Sequence, residues 1–347
     1  ESGPDDFYRG ETAALLLAQM PRSNGLITAA DLESYDAVWR EPLRSPWRDF
    51  EIVTAPPPSS GGFAVIQLLK MKDYLADYFA GVPHNSPQYI HLVAEMEKRV
   101  FADRAEYLGD PDHVEVPVGM LLSKAHLRSK LDWIEPGKAT PSSALPPVQA
   151  GEVKGADTTH FSILDSDGNR VAATLSINYP FGSGYVIPGT GILLNDEMDD
   201  FSAKPGAPNA YGLVGAEANA IAPGKRPLSS MSPTFIESGD RIIILGTPGG
   251  SRIISMVLLG VLEAIGGATA EEIVSLPRFH HQYLPDIVSF EPGALSPGVQ
   301  QELRLQGHAL EERDSAYGNM QAVVWNRGDG SVTAASDPRG VGRAEVL

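Results

Sequence analysis

The sequence contains no cysteine among its 347 residues. This absence excludes a disulfide framework, a thiolate nucleophile and a metal site with cysteine ligands. It does not identify the cellular compartment, because proteins without disulfides occur on both sides of a membrane.

Basic residues are also scarce. The chain has 27 Lys and Arg against 44 Asp and Glu, a formal net charge of -17 at pH 7. Binding to a phosphate backbone requires clustered Lys and Arg, so this composition argues against a nucleic-acid partner. An anionic substrate would need a locally positive site within an unfavourable overall field.

Long apolar runs are missing as well. The longest, from Ile253 to Ile265, is interrupted by Ser255, Gly260 and Glu263, so no membrane span is predicted. Residues 1–6 lack the basic start and apolar run of a secretory signal, and we expect any such signal to have been removed or to lie outside this chain. The remaining composition, 42% hydrophobic and 20% charged, is that of an ordinary globular protein.

The first half of the chain favours helices. Apolar periodicity predicts helices over residues 5–20, from about 63 onward, over 86–107 and over 120–133. Residues 136–157 are rich in Pro, Gly, Ser and Ala and have no periodicity. This segment has two interpretations, a domain linker or a mobile segment that ends at a cleavage point, and we prefer the second.

The second half favours strands. Strands are predicted at 158–164, 170–178, 234–237, 241–245, 287–290, 308–312, 321–325 and 331–335, with helices at 251–265, 270–275 and 299–305. A helix-rich half followed by a strand-rich half predicts an α+β fold, with helices packed outside stacked sheets.

The first two of these strands form a predicted hairpin. A two-residue loop at Asp167-Gly168 would place Thr158 opposite Ile177, whereas a three-residue loop with Gly168 in the left-handed conformation would place it opposite Ser176. We prefer the second register because it brings Ser176, Thr174 and Asn178 to the face of Thr158. From the hairpin alone, a solvent-facing polar strand remains an equally good interpretation.

Five ordered motifs together resemble the γ-glutamyltransferase (glutathione hydrolase) family. They are residues 158–162 (TTHFS), 178–184 (NYPFGSG), 194–201 (LNDEMDDF), 223–231 (PGKRPLSSM) and 246–251 (GTPGGS). The similarity extends from the first residues to Asp337-Pro338-Arg339. It implies an N-terminal-nucleophile hydrolase with a four-layer αββα sandwich.

The resemblance implies that the precursor cuts itself between Asp157 and Thr158. Residues 1–157 would be the C-terminal part of a large subunit and residues 158–347 the small catalytic subunit, both within one domain and forming a heterodimer. A threonine hydroxyl needs a base, and the α-amine freed by the cut is one, with an unperturbed pKa of about 7.7–8.0. Uncut protein should therefore be inactive.

The resemblance also implies roles around Thr158. Ser176 stands where the family commonly has a second threonine and retains the hydroxyl, while Gly249 and Gly250 match the oxyanion loop. A plain tight turn is the competing interpretation of the two glycines. The remaining implied positions are the ligands of the substrate α-amino group, Asn178, Glu197 and Asp200, the donors to its α-carboxylate, Ser229 and Ser230, and a lid residue, Tyr211.

Alternatives remain for some of these features. Asp199 and Asp200 alone would more often form a solvated acidic turn, and residues 205–215 around Tyr211 are also compatible with an ordinary surface loop. His280-His281 suggests a metal pair, but neighbours on a strand point to opposite faces, so we predict structural histidines. The family resemblance implies no metal and no cofactor.

The implied substrates are glutathione-like γ-glutamyl donors, with water or an amino acid or peptide as acceptor, in a periplasmic or extracellular setting. A complete family precursor has a long portion before the region that matches Glu1, including the arginine that clamps the substrate α-carboxylate, and no arginine here matches it. The chain is then either a fragment of a longer precursor or a shortened member of the family, and we expect the fragment. The alternatives are a related amidohydrolase, such as a cephalosporin acylase or a poly-γ-glutamate processing enzyme, and a noncatalytic fragment.

Overall fold

The computed structural model describes residues 3–145 and 158–347. The helices are α1 (Asp5–Arg9), α2 (Glu11–Ser23), α3 (Ala29–Ser34), α4 (Gly61–Tyr74), α5 (Ala76–Phe79), α6 (Pro87–Tyr107), α7 (Val118–Leu121), α8 (Lys124–Leu131), α9 (Ile253–Ile265), α10 (Ala270–Ser275) and α11 (Pro297–Leu305). Within the described ranges, no helix combines the length and apolarity needed to cross a bilayer.

Within the described residues, all eight strands predicted above are present, each within two residues of its expected bounds, together with five others. They are β1 (Leu43–Trp47), β2 (Phe50–Thr54), β3 (Thr158–Leu164), β4 (Arg170–Ser176), β5 (Val186–Ile187), β6 (Ile192–Leu193), β7 (Thr234–Glu237), β8 (Arg241–Gly246), β9 (Phe279–His280), β10 (Val288–Phe290), β11 (Leu310–Glu312), β12 (Gln321–Asn326) and β13 (Val332–Ser336). The predicted helices at 5–20 and 120–133 are each divided into two. The first division falls at Gly10, whose extended backbone ends α1.

Six strands form one antiparallel sheet in the order β1-β2-β7-β8-β12-β13. Strand β2 pairs with β7, so Ile52 lies opposite Ile236. The sheet therefore joins strands from both sides of residues 146–157. Because side chains alternate along each strand, the sheet has two distinct faces to cover.

Helices cover one face of this sheet. Helices α4, α6 and α9 pack there, and the main hydrophobic core includes Ile243 and Leu245 from β8 together with Phe63 and Val257 from the helices. Ser86 accepts a hydrogen bond from the Tyr89 N–H and so caps the start of α6, as predicted. This helix is buried along most of its 21 residues.

The β3–β4 hairpin packs on the opposite face. Its inner side contacts a second core built around Ile242, Ile244 and Val323. Thr158 pairs with Ser176, and Gly168 has a φ of 83°, which confirms the preferred register and its left-handed glycine. Helix layer, central sheet and hairpin are thus the α, β and β layers of the expected αββα arrangement.

The outer side of the hairpin is open. Four large apolar side chains are 42–53% exposed there: Phe161, Ile163, Val171 and Leu175. A sheet whose outer face carries such residues is suited to packing against a further layer.

Part of the segment before the proposed cut is hydrogen-bonded to the rest of the fold. We placed the start of a mobile segment at about residue 136, yet the Thr140 N–H donates to Glu95 and the Thr140 carbonyl accepts from Lys98. The Ser142 hydroxyl donates to the Tyr283 carbonyl, and its N–H donates to Asp286. Thr140 and Ser142 are thus hydrogen-bonded to the rest of the fold, and the mobile segment expected at about 136–157 stays a prediction. The proposed cut at Asp157 lies outside the described residues.

Candidate active site

Nine of the eleven predicted site residues line one cavity of about 20 Å³, roughly the space of one water. They are Thr158, Ser176, Asn178, Glu197, Asp200, Tyr211, Ser229, Ser230 and Gly250. Gly249 precedes Gly250 in the same loop, and Asp157 is outside the described residues. Segments far apart in the sequence therefore converge on Thr158.

Thr158 opens β3, and its side chain faces the central sheet. Its Oγ1 donates to Ser176 Oγ at 3.2 Å. The same serine oxygen accepts the Asn178 N–H at 2.9 Å. Asn178 is 2% exposed and has a φ of 71°, which turns the chain sharply at the end of β4. The hairpin thus positions three polar residues within a few ångströms.

Two carboxylates face the cavity from the short helical turn Glu197–Asp200. Burial, and then the neighbouring Glu197 carboxylate, raise the pKa of Asp200 to about 8. Glu197 Oε1 is buried and has no hydrogen-bond partner within the described residues. A group that placed positive charge between the two carboxylates would stabilise both.

Ser229 and Ser230 lie in a loop that packs against the start of α4. The Ser229 carbonyl accepts from both the N–H and the hydroxyl of Ser60. A Cβ added to Gly61 would stand 1.9 Å from Ser232 Oγ, so only glycine permits this close approach. The first turn of α4 is therefore pressed against the two serines, and its N-terminal end favours negative charge.

Gly249 and Gly250 connect β8 to α9 through a 3₁₀ turn, Gly250–Arg252. Their φ values are 149° and 58°, conformations that favour glycine. A Cβ on Gly250 would lie 2.5 Å from the Tyr211 ring. The loop therefore brings Gly250 and the start of a helix to the cavity.

Tyr211 closes the cavity. It is 3% exposed, and its ring stacks on Tyr179 at 5.3 Å with an interplanar angle of 6°. Its hydroxyl donates to the Asn178 carbonyl at 3.0 Å. Gln282 donates to the Tyr211 carbonyl. A buried ring with these partners is unlike an ordinary surface loop.

Sequence reasoning missed Arg104 and Ser60, which lie behind the serine loop. Arg104 is 4% exposed and donates through Nε to Ser60 Oγ at 2.9 Å. A signal was present in the sequence, because Arg104 follows the apolar residues Val100 and Phe101 by four and three positions, which places it on the same face of the predicted helix. A charged residue on an apolar stripe indicates a buried partner or a site.

The histidines of β9 and its end contact different groups. His280 bonds Ser255, whereas His281 faces Asp286. Elsewhere, His91, Glu95 and His308 come within ligand distance of one another. Glu95 already pairs with Lys98 and Arg99, both nearly fully buried, so two cations already compensate the charge of this carboxylate.

A family model described as Gamma-glutamyltranspeptidase matches residues 1–347. The glutathione hydrolase proenzyme of Pseudomonas aeruginosa is 49% identical over 353 residues, which cover 100% of this chain and 62% of that relative. The proenzyme of Escherichia coli is 45% identical, covering 98% of this chain and 58% of that relative. The chain thus spans about three fifths of the length of these relatives.

Solved structures share the fold. The cephalosporin acylase from Bacillus halodurans superposes with a TM-score of 0.80 at 25% identity, covering 96% of this chain and 58% of that one. A gamma-glutamyltranspeptidase variant from Pseudomonas nitroreducens gives a TM-score of 0.51 at 45% identity, covering 55% of this chain and 98% of that one. These neighbours confirm the expected αββα fold class of the N-terminal-nucleophile hydrolases.

Proposed function

The chain belongs to the gamma-glutamyltranspeptidase family, and from that premise we propose that it carries the γ-glutamyl-transfer site of a self-cleaving precursor. The observation that carries the proposal is the convergence of Thr158, the glycine loop, two carboxylates and two serines on one cavity. Thr158 would attack the γ-amide, and the glycine loop would stabilise the charge that develops on its oxygen. The two carboxylates would bind the amino group of the substrate, and the two serines would bind its α-carboxylate.

In the proposed reaction Thr158 acts twice. Cleavage after Asp157 frees its α-amine, which takes the proton of its own hydroxyl as Oγ1 bonds the γ-carbonyl carbon. The leaving amine receives that proton as the amide bond breaks. Water, or an acceptor amine, then attacks the ester and restores the hydroxyl. Ser176 holds Thr158 Oγ1 in position throughout.

The negative charge that develops on the carbonyl oxygen would be stabilised by the Gly249-Gly250 loop. One donor of this kind contributes about 2.7–4 kcal/mol to the transition state. The start of α9 adds the positive end of a helix. Both glycines have a positive φ, and a side chain on Gly250 would overlap the Tyr211 ring. Both observations support a requirement for glycine in this loop.

Substrate recognition would use opposite sides of the cavity. Glu197 and Asp200, with Asn178, would bind the α-ammonium, and Ser229 and Ser230 would donate to the α-carboxylate. The raised pKa of Asp200 and the unpaired Glu197 oxygen within the described residues support the first assignment. Tyr211, which lines the same cavity, would be the lid residue.

Two subunits follow from the same proposal. Residues 158–347 are 190 of 347, about 55% of the chain. The separate gamma-glutamyltranspeptidase chain from Pseudomonas nitroreducens matches 55% of this chain. An equal share is expected if that chain corresponds to residues 158–347, and we propose a small subunit that begins at Thr158 and pairs with a large subunit in a periplasmic or extracellular heterodimer.

A cephalosporin acylase is the second candidate, favoured by the fold of the Bacillus halodurans enzyme. The two candidates differ at the α-carbon, because a glutaryl group has no ammonium for Glu197 and Asp200 to bind. Intact mass and hydrolysis of γ-glutamyl-p-nitroanilide, glutaryl-cephalosporin and poly-γ-glutamate test the choice. We expect a break after Asp157 and turnover of the first donor. Turnover confined to either of the others would overturn the substrate assignment, and no turnover of any would favour a noncatalytic fragment.

A further inference from the structure

Arg104 lies behind the serine loop, in the last turn of α6. We propose that Arg104 is a positioning residue of the carboxylate subsite: it orients the Ser230 hydroxyl and adds positive charge behind it, which favours an α-carboxylate. The inference rests on the proposed function, since it assigns a role within the same cavity. Arg104 itself does not line that cavity.

The hydrogen bonds of Arg104 give the serine hydroxyls a direction. Its Nε donates to Ser60 Oγ at 2.9 Å, and its Nη2 approaches Ser230 Oγ at 3.5 Å. A hydroxyl that accepts from a guanidinium keeps its own hydrogen for another acceptor. Ser60 gives that hydrogen to the Ser229 carbonyl. The Ser230 hydroxyl donates to nothing within the described residues, and Ser230 lines the cavity.

The charge of Arg104 is not neutralised at short range. Two other buried arginines pair directly with carboxylates, Arg99 with Glu95 and Arg278 with Asp337. No carboxylate of the described chain lies within 4.0 Å of the Arg104 guanidinium. Burial lowers the pKa of Arg104 to about 10, against the opposing influence of Asp200. A buried cation without an ion partner is costly, and that cost falls when an anion binds nearby.

A substrate carboxylate on Ser229 and Ser230 would be that anion. It would accept the free hydrogen of Ser230, whose oxygen is in turn polarised by Arg104. Charge-assisted hydrogen bonds are stronger than neutral ones, so the relay favours a carboxylate over a neutral group. Asp200 lies on the ammonium side of the same cavity. The two charges thus provide separate recognition of the two substituents on the α-carbon.

A purely structural role for Arg104 makes a different prediction. If the guanidinium only ties α6 to the loops at 60 and 230, its loss would weaken every ligand of the cavity alike. The test therefore compares two ligands that differ in one substituent. 4-Sulfamoylbutanoate carries the carboxylate alone, and 3-aminopropane-1-sulfonamide carries the amine alone. Both present a sulfonamide that Thr158 cannot cleave in place of the γ-amide.

Binding of the two probes is measured by calorimetry on the mature full-length protein and its variants. Arg104→Met should lower the affinity for 4-sulfamoylbutanoate about 10- to 100-fold, the range expected for loss of a charged hydrogen-bonding partner. The affinity of this variant for 3-aminopropane-1-sulfonamide should stay within about threefold of the wild-type value, since the ammonium side of the cavity does not use this cation. The mature protein should bind both probes, and failure to bind 4-sulfamoylbutanoate would overturn the inference.

Arg104→Lys keeps the proposal testable if Arg104→Met does not fold. Lysine retains the positive charge but not the guanidinium group. The affinity for the carboxylate probe should therefore fall by about threefold to tenfold, and the affinity for the amine probe should not change. Equal weakening of both probes, or of neither, in the folded variant would overturn the inference. In Arg104→Met/Ser230→Ala, the second change should add little, because Arg104 acts through Ser230.

The proposed function is scored separately, by hydrolysis of γ-glutamyl-p-nitroanilide. If the protein binds the carboxylate probe in an Arg104-dependent way but hydrolyses no anilide, the proposed function fails and the inference stands. If it hydrolyses the anilide and Arg104→Met weakens both probes equally, the inference fails and the proposed function stands.

Discussion

At the residue scale, Thr158 has only one side-chain hydrogen bond in the described structure, to Ser176. Its hydroxyl is therefore free of the strong interactions that would hold a structural threonine in place. This arrangement suits a group that must exchange its proton and form a new bond in each cycle.

Thr158→Ala should abolish both cleavage and turnover, because it removes the hydroxyl that is proposed to carry out both. Cleavage is measured on a denaturing gel and by intact mass, and turnover is measured by hydrolysis of γ-glutamyl-p-nitroanilide. Thr159→Ala is the matched control, since Thr159 is exposed on the outer side of the hairpin. A two-band pattern from Thr158→Ala would remove the nucleophile assignment.

Asp200 should introduce a pH dependence specific to donors with an α-amine. Its pKa is raised to about 8 by burial and by Glu197, so at lower pH the carboxyl is protonated and binds an ammonium poorly. The kcat/KM for γ-glutamyl-p-nitroanilide, divided by that for glutaryl-p-nitroanilide, should rise from about pH 6 to about pH 8. The ratio cancels the titration of the Thr158 α-amine, which both donors require.

Glu197→Gln provides the control for this profile. Removing the neighbouring negative charge should lower the pKa of Asp200, and the rise in the ratio should move to lower pH. A ratio that does not change with pH, or a rise that does not move in Glu197→Gln, would contradict the assignment of Asp200 to the ammonium.

At the element scale, the connection between β8 and α9 determines how closely the helix start approaches Tyr211. Gly250→Ala places a methyl group at 2.5 Å from the Tyr211 ring and in a left-handed backbone. We expect kcat to fall by about 100-fold or more, comparable to loss of one oxyanion donor.

Gly267→Ala separates this effect from backbone strain alone. Gly267 also has a positive φ, 103°, but a Cβ there would meet nothing within 4 Å. Both variants should lose thermal stability, while only Gly250→Ala should lose activity. Full activity in Gly250→Ala, measured with γ-glutamyl-p-nitroanilide, would remove the loop from the site.

Through Glu95, helix α6 holds Thr140, in the segment that precedes the proposed cut. Although burial opposes it, Lys98 and Arg99 lower the pKa of Glu95 to about 2, so its contribution to stability is present above about pH 4.5 and is lost as pH falls toward 2. Glu95→Ala removes the one carboxylate that pairs with Arg99 within the described residues, while Lys98 keeps Asp286, and it should cost about 3–5 kcal/mol of the free energy of unfolding at pH 7.

The loss in free energy of unfolding predicted for Glu95→Ala is measured by denaturant unfolding. Glu135→Ala, which removes an exposed pair with Lys138, is the control and should change stability little. The variant at Glu95 should also lose less stability than the wild type between about pH 5 and pH 3. Equal free energies of unfolding for the two variants would mean that the buried cluster does not anchor α6.

Several elements could be predicted from the sequence because their signals are local. The capped start of α6 at Ser86 and the hairpin register at Gly168 depend on a few neighbouring residues. The pairing of β2 with β7 could not be predicted in this way, because no local pattern indicates which strands meet across 180 residues of chain. Arg104 was missed for a related reason, since its partners Ser60 and Ser230 come from two distant loops.

At the scale of the whole molecule, the hairpin presents apolar side chains on a face that nothing in the described chain covers. The matched relatives are longer than this chain, which spans 62% of the Pseudomonas aeruginosa proenzyme. We expect further chain of the precursor to pack on Phe161, Ile163, Val171 and Leu175. That layer would complete the αββα sandwich.

The order of the central sheet has a consequence for how the cleaved protein unfolds. Strand β2 from residues 1–157 is bonded to β7 from residues 158–347, so the two subunits would share one sheet after the cut. The melting temperature of the cleaved protein should therefore rise with protein concentration, whereas that of uncleaved Thr158→Ala should not. Scanning calorimetry over a hundredfold concentration range measures the difference.

Before the cut, folding is a first-order process, and each molecule carries its own partner strand. After the cut, the same sheet can be regained only by a second-order encounter between two chains. A molecule that opens fully then loses the effective concentration that the covalent connection provided. The mature protein would therefore persist chiefly because its two chains separate slowly, and its lifetime would be set by a rate instead of by an equilibrium.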